Sequence, residues 1–343
     1  MQENEIAALV EPVARLLADR CAEADVRRIM ASETGHDADL WRALAGLGVT
    51  GLTVDEAAGG LGLGAVELER VLEVAGAALL PAPLLSGAVA AAALAGTGEP
   101  LLAALAAGER VAAVAFAGAL DWSGGDVRVA GARATGTARF VPDAAVADAI
   151  LLVTGDGVFL SEPARVVPLP VFDRTRRLAD VAFDAPARQV ADAAAAARAR
   201  DVALVALAGE QAGAAQRLLE MTVDYARERH QFGRAIGSFQ AVKHMAADLL
   251  LESESATSAA RDAARQVDEG APGGEAAVAL AAFACADAFV RVAADSIQMH
   301  GGIAFTWEHP AHLYLRRARS GAQLYGDSDW WRERYLSALE EQA

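Results

Sequence analysis

The chain is poor in cysteine and in basic residues, and it lacks a long uninterrupted apolar run. Each shortage removes a class of protein. Two cysteines, Cys21 and Cys285, cannot make a disulfide framework and show no metal-ligand spacing, so both read as buried thiols in alanine-rich helices. Lys and Arg total 30 against 46 Asp and Glu, a formal charge of −16, which excludes the basic surface that releases counterions from nucleic acid. Hydrophobic residues are 54% of the 343, yet every stretch of bilayer-spanning length contains polar residues. The alanine-rich Ala88 to Gly96 is closed by Gly98, Glu99 and Pro100 and reads as a buried helix. The opening Met1-Gln2-Glu3-Asn4-Glu5 is acidic where a secretory signal is basic. The expectation is a cytoplasmic protein with no membrane and no nucleic-acid partner.

What is present divides into three textures. From Ile6 to about Gly108, Ala, Leu and Val recur at helical spacing between glycine and proline breaks. Within it Asp37 to Leu47 reads as an amphipathic helix with Trp41, Leu44 and Leu47 on one face and Gly48 as its stop. A glycine-rich loop, Gly51 to Gly64, precedes the next helix. It has no Lys-Ser/Thr after it and no strand before it, so neither nucleotide fingerprint fits. Between Glu109 and about Pro186 the pattern turns to short β runs: Val111 to Phe116, Val127 to Val129, Ala138 to Val141, Ala149 to Val153, Gly157 to Leu160 and Ala164 to Leu169. From Arg188 to the end the helical pattern returns. The expected domains are 1–108, 109–187 and 188–343.

Two motifs carry the functional signal. Tyr225-Ala226-Arg227-Glu228-Arg229-His230-Gln231-Phe232-Gly233 continues through Ile236-Gly237-Ser238-Phe239-Gln240. The second is Gln298-Met299-His300-Gly301-Gly302-Ile303, a helix end followed by paired glycines where a backbone can approach a ligand without obstruction. Read alone, the first is a helix C-terminus with Arg227 and Arg229 near the dipole and Gly233 as its cap. His300 and His309 lack a third ligand to make a metal site.

Together the motifs resemble the two flavin-contacting signatures in the C-terminal domain of the acyl-CoA dehydrogenase family, and the helical, β, helical order matches that family along essentially the whole chain. The resemblance implies an α+β fold with an N-terminal helical domain, a middle β-barrel-like domain and a C-terminal four-helix bundle. It implies FAD as cofactor, with Arg229, Phe232, Gln240, Gln298, Gly301 and Gly302 as its contacts and an acyl-CoA as substrate. The Gly59-Gly60-Leu61-Gly62 loop is similar to the family's Pro-Glu-x-x-Gly-Gly-x-Gly turn, with Asp55 in the proline's place. Ala304 stands where the family's last glycine falls.

The same comparison exposes what is missing. The family's chemistry needs a carboxylate that removes the proton α to the thioester. Matched to the C-terminal Tyr-Glu-Gly-Thr turn, Gln323-Leu324-Tyr325-Gly326-Asp327-Ser328 puts Gly326 at the glutamate, or Tyr325 after a shift of one residue. The alternative position, on the helix before the arginine motif, holds Ala203. Glu210 and Glu220 lie on that helix at other turns, and Asp327 is the nearest acid to the C-terminal position. The ring-gripping segments of the β region also depart from the family, at Phe116-Ala117-Gly118-Ala119-Leu120-Asp121 and after Phe140-Val141-Pro142. The expectation is a short, baseless subunit that completes the flavin site of a longer homologous partner in an α2β2 acyl-CoA dehydrogenase, of the kind that degrades sterol side chains, with an electron-transfer flavoprotein as acceptor. Two alternatives stay open on the sequence: a homo-oligomeric flavoenzyme with a displaced base, and a flavin-free structural subunit.

Overall fold

The computed structural model describes residues 3–342 other than Asp121; Met1, Gln2, Asp121 and Ala343, which entered the readings of the N-terminus and of the 116–121 segment, lie outside the described residues. The chain forms two compact units, one of residues 1–68 and 81–206, the other of residues 69–80 and 207–343.

The first unit opens with helices α1 (Glu3–Arg20), α2 (Glu23–Ala31) and α3 (Ala38–Gly46) and, after the glycine-rich loop and the start of α4 (Ala65–Ala77), adds α5 (Leu84–Leu94) and α6 (Pro100–Ala106). Asp37 begins α3 because its carboxylate accepts the Asp39 and Leu40 amides at 2.9 and 3.1 Å, the usual N-cap arrangement. Leu40, Trp41 and Leu44 are buried, whereas Leu47, expected on that face, is exposed beyond the helix end. Every residue of α5 except Gly87 is buried, as its alanine run predicts. In the glycine-rich loop the amides are spent internally, Leu61 on Gly51 O, Gly62 on Val54 O and Leu63 on Leu52 O. The loop is a folded turn with those donors already used.

The same unit carries strands β1 (Ala112–Phe116), β2 (Arg128–Ala130), β3 (Arg133–Pro142), β4 (Ala149–Thr154), β5 (Gly157–Pro168) and β6 (Leu178–Ala191). They form one sheet in the order β1-β4-β5-β6-β3-β2, with β1 and β4 parallel and the other pairs antiparallel. This corrects the expected barrel. Closure requires the first and last strands to bond, and here β1 and β2 are edges that pair only with β4 and β3. The sheet instead wraps one face around a core of small and β-branched residues, among them Ala113, Ala115, Ala138, Ile150, Leu152, Val181 and Phe183. Bulges in β3 and β5 bend it, and at the first of them Phe140 takes a φ of +54° and turns out to solvent.

Strand β6, the longest, has no counterpart among the expected β runs. Its buried face is Ala179, Val181 and Phe183, its outer face carries Asp and Ala, and Pro186 interrupts it, so its local β signal is weak and its partners on both sides decide it. It runs to Ala191, and the helical pattern read from Arg188 begins instead with α7 (Ala193–Glu228).

The second unit contains the C-terminal part of α7, a two-stranded hairpin β7 (His230–Gln231) and β8 (Arg234–Ala235), and helices α8 (Gln240–Glu269), α9 (Gly274–His300), α10 (Ala311–Gly321) and α11 (Ser328–Gln342). Among the described residues five helices follow the sheet, the last two separated by the turn at 322–327. Helix α9 is apolar and long enough to cross a membrane by length and composition, but just over half of its most apolar window is buried, by α8, α10 and α11. That is the position of a core helix. Cys285 on α9 gives its thiol hydrogen to Ala256 O of α8 at 3.3 Å, and burial pushes the thiol's pKa up, the opposite of an activated cysteine.

Candidate functional site

Helix α7 ends at Glu228, and the Arg229 amide still reaches back to Tyr225 O at 2.8 Å. The chain then reverses rather than simply capping. Strands β7 and β8 pair His230 with Ala235 and Gln231 with Arg234 around a two-residue turn, Phe232-Gly233, with φ of +56° and +80°. Both residues in the left-handed region define a type I′ hairpin, whose first position ordinarily takes Asn or Gly. Phenylalanine there is strained, by about 1–3 kcal/mol for a non-glycine residue held in this region, and its ring is 92% exposed. Arg229 is exposed, and its guanidinium has no hydrogen bond or ion pair among the described residues. Arg234 is occupied differently, lying 3.9 Å from the Phe239 ring centroid. Gln240 is the exposed first residue of α8.

The glycine motif ends α9. Gln298 is exposed, and its carbonyl accepts the Gly301 amide. Gly301 and Gly302 are both exposed, with open space where a Cβ would stand. Ala304 is fully buried, so its methyl serves packing and does not crowd the glycine face. The turn from Gly301 to Phe305 leaves Ile303, Phe305 and, just beyond, Trp307 exposed.

A ring stack brings the roots of these motifs together. Tyr225 lies 4.5 Å from His300 at an interplanar angle of 30°, and His300 lies 4.3 Å from His309. The end of α7, the end of α9 and the approach to α10 thus meet at one point, which nothing local in the sequence announces.

The base positions look different. Tyr325 is buried with φ +68°, and Gly326 has φ +105°. A Cβ at Gly326 would lie 2.7 Å from Trp331 Nε1 and 2.9 Å from Trp330 Cε3, and the Trp331 indole donates to Tyr325 O at 2.8 Å. Two tryptophans therefore fill the space into which a side chain at 326 would point. Asp327 caps α11, its carboxylate accepting the Trp330 amide at 2.8 Å. Ala203 is buried in the part of α7 that belongs to the first unit. Glu210 is locked to Arg317 at 3.0 Å in a buried pair, and Glu220 is exposed beside Gln216 and Arg217.

One acid escaped the sequence reading. Glu69, on α4 in the second unit, is 0% exposed, and neither carboxyl oxygen meets a donor of normal geometry. Burial, then the charge of Glu73 one turn on, pushes its pKa up to about 9 against the opposing pull of Arg261 and Arg70, so it is protonated at neutral pH. Glu73 itself takes a bidentate pair from Arg261 at 2.8 and 3.0 Å. Helical periodicity places Glu69 beside Leu68 and Leu72, but no local feature separates it from the exposed acids.

In the first unit, Phe116 at the end of β1 packs against Trp122 with centroids 5.1 Å apart, and Gly118 to Leu120 form a short 3-10 turn.

These features, a helical region, a wrapped sheet and a second helical region that carries an arginine hairpin and a glycine turn, are those of a flavoprotein dehydrogenase. Family models for the N-terminal and C-terminal domains of acyl-CoA dehydrogenase match residues 3–108 and 187–339, and the chain belongs to the acyl-CoA dehydrogenase family. It is 36% identical over 328 residues to acyl-CoA dehydrogenase IpdE2 of Mycolicibacterium smegmatis, covering 95% of each chain. Among solved structures it resembles a variant of the Tcur3481–Tcur3483 steroid acyl-CoA dehydrogenase, with a TM-score of 0.91 at 30% identity over 99% of this chain and 98% of that one. It also resembles the ChsE4–ChsE5 complex of Mycobacterium tuberculosis, with a TM-score of 0.89 at 28% identity over the same shares.

Proposed function

We propose that this chain is a subunit of an FAD-dependent acyl-CoA dehydrogenase in which a larger, homologous partner supplies the base and holds the flavin ring, while this subunit completes the site around the nucleotide portion of FAD. The observation that carries the reading is the contrast at Gly326 and Arg229: the base position is closed by Trp330 and Trp331, and the arginine stands exposed and unpaired. The residues present fit the nucleotide. A guanidinium fork suits pyrophosphate oxygens, Gln298 offers a neutral hydrogen-bonding group, the open backbone at Gly301 and Gly302 admits close approach, Phe232 offers an aromatic cover for a cofactor edge, and Gln240 lies at the head of α8. When bound, FAD supplies the acceptor for the hydride that leaves the substrate's β-carbon. What this chain's side chains do is bind, orient and exclude water.

The names of the relatives, a two-protein complex and a steroid acyl-CoA dehydrogenase, support a partner subunit, here read as an α2β2 assembly, and a bulky, steroid-type acyl-CoA. Both belong to this proposal, as do an electron-transfer flavoprotein as acceptor, a cytoplasmic location and the division at 108/109 and 187/188. The test is turnover. The complex captured on a tagged copy of this chain oxidises an acyl-CoA, and the chain alone falls short by about 10²- to 10⁴-fold or more, the scale of lost general-base catalysis. Robust turnover by the single chain, abolished by Asp327→Asn, overturns the reading in favour of a displaced base.

A further inference from the structure

His300 is the one histidine of the second unit that is both buried and set between the arginine hairpin and the glycine turn. Its Nδ1–H donates to Ser296 O at 2.8 Å, one turn back on α9, which assigns the tautomer and leaves Nε2 as a lone-pair acceptor. That Nε2 is buried and has no partner among the described residues. One face of the ring lies on Tyr225, whose carbonyl holds the Arg229 amide; His309 closes the stack 4.3 Å away, ahead of α10. The next residue after His300 is Gly301. A single imidazole therefore sits one residue from the glycine face and, through Tyr225, one helical turn from the arginine.

We infer that His300 is a positioning residue that keys the arginine hairpin to the glycine turn, holding both in register for the FAD nucleotide only while its imidazole is neutral. This rests on the flavin-site reading above. The physical reason is the orphaned Nε2. A second proton would create an N–H donor in a buried place with no acceptor and would put a positive charge between two rings. Burial already holds the pKa of this histidine below its ordinary value. The titratable groups against it are Tyr225 from α7 and His309 from the approach to α10. Among the described residues no acid favours the ring's charged form, and the Ser296 bond alone opposes the effect of burial. Protonation would relax the stack, and the hairpin and glycine turn would lose their common anchor before the helices themselves melt.

The experiment uses the complex captured on a tagged copy of this chain, stripped of flavin and titrated with FAD at pH 7.5 and pH 5.0. His300→Ala should weaken FAD binding about tenfold at pH 7.5, the scale of a lost aromatic pair. His300→Phe keeps a ring on Tyr225 and cannot be charged. It should bind within about threefold of the natural chain at pH 7.5 and should lose the additional weakening that the natural chain shows at pH 5.0. A natural chain and a His300→Phe variant with the same pH profile would overturn the inference, and so would a His300→Ala complex with unchanged affinity. If His300→Ala fails to assemble, the comparison of pH profiles still decides. Arg229→Ala is the control for the underlying reading. If it weakens FAD binding while the His300 variants behave as the natural chain, only this inference falls. If none of the variants changes FAD binding, the flavin-site reading falls with it.

Discussion

The hairpin end and the 323–331 turn of the second unit are built by opposite rules. At the hairpin end, groups that cost free energy when exposed stand at the surface: a phenylalanine in strained backbone at 92% exposure, an arginine with no counterion among the described residues, exposed Phe305 and Trp307, and two glycines facing open space. At the turn the backbone and side-chain groups that meet α9 and α11 are bonded. Tyr325 O takes the Trp331 indole, Asp327 caps α11, and Ser328 and Arg332 both bond Asp287 on α9. Surface that is strained and apolar yet exposed points to something that binds there, and space that is filled and hydrogen-bonded points to structure. Under the function proposed above, this chain keeps the binding half of an active site and fills the chemical half with packing.

The largest effect that sharpens this contrast is the attempt to restore the base. Gly326→Glu puts a side chain at φ +105° into Trp330 and Trp331. It should destabilise the chain by about 2–4 kcal/mol, read as a fall in the unfolding midpoint, with no dehydrogenase activity gained by the chain alone. A folded, active Gly326→Glu chain would show that the turn is a dormant active site and not a closed one.

Next comes Arg229→Ala. Removing a charge-assisted contact to pyrophosphate should cost about 1.5–3 kcal/mol of FAD binding, or one to two decades in affinity. Stability of the flavin-free protein should change by under about 1 kcal/mol, the contribution of an arginine at a helix end. Gln298→Ala should act in the same direction and more weakly. Loss of stability without loss of affinity would make the arginine part of the filled half.

The smallest effect concerns the interior. The unfolded chain ionises Glu69 near pH 4.5, and the folded chain keeps the proton up to about pH 9. The folded state therefore binds the extra proton throughout that window, and stability falls as pH rises through it. Glu69→Gln removes the titration. It should leave stability nearly unchanged at pH 5 and raise it by about 2 kcal/mol at pH 8, below the ceiling of ~1.4 kcal/mol per pH unit. Thermal unfolding at the two pH values reads it directly. An equal shift at both would mean that Glu69 is ionised in the fold.

Much of this was legible along the chain because it is written at short range. Helix α3 with its Gly48 stop, the buried alanine helix α5, the buried thiols and the two flavin-type motifs each depend on residues within a few turns of one another, where periodicity and glycine breaks act. The absence of a carboxylate at 326 and 203 is equally a matter of letters. Tertiary structure alone decided the rest, because it depends on partners distant in sequence. An open sheet and a barrel use the same strands and differ only in whether β1 and β2 bond; β6 exists because β5 and β3 flank it; and the hairpin at Phe232 reads locally as a helix end until its strands pair. The same holds inside the second unit. Glu69 looks like any helical acid until the surrounding packing removes its water, and His300 shows no role until Tyr225 of α7 and His309 ahead of α10 enclose it, for burial and ring stacking are properties of the space a residue enters and not of its neighbours in the chain.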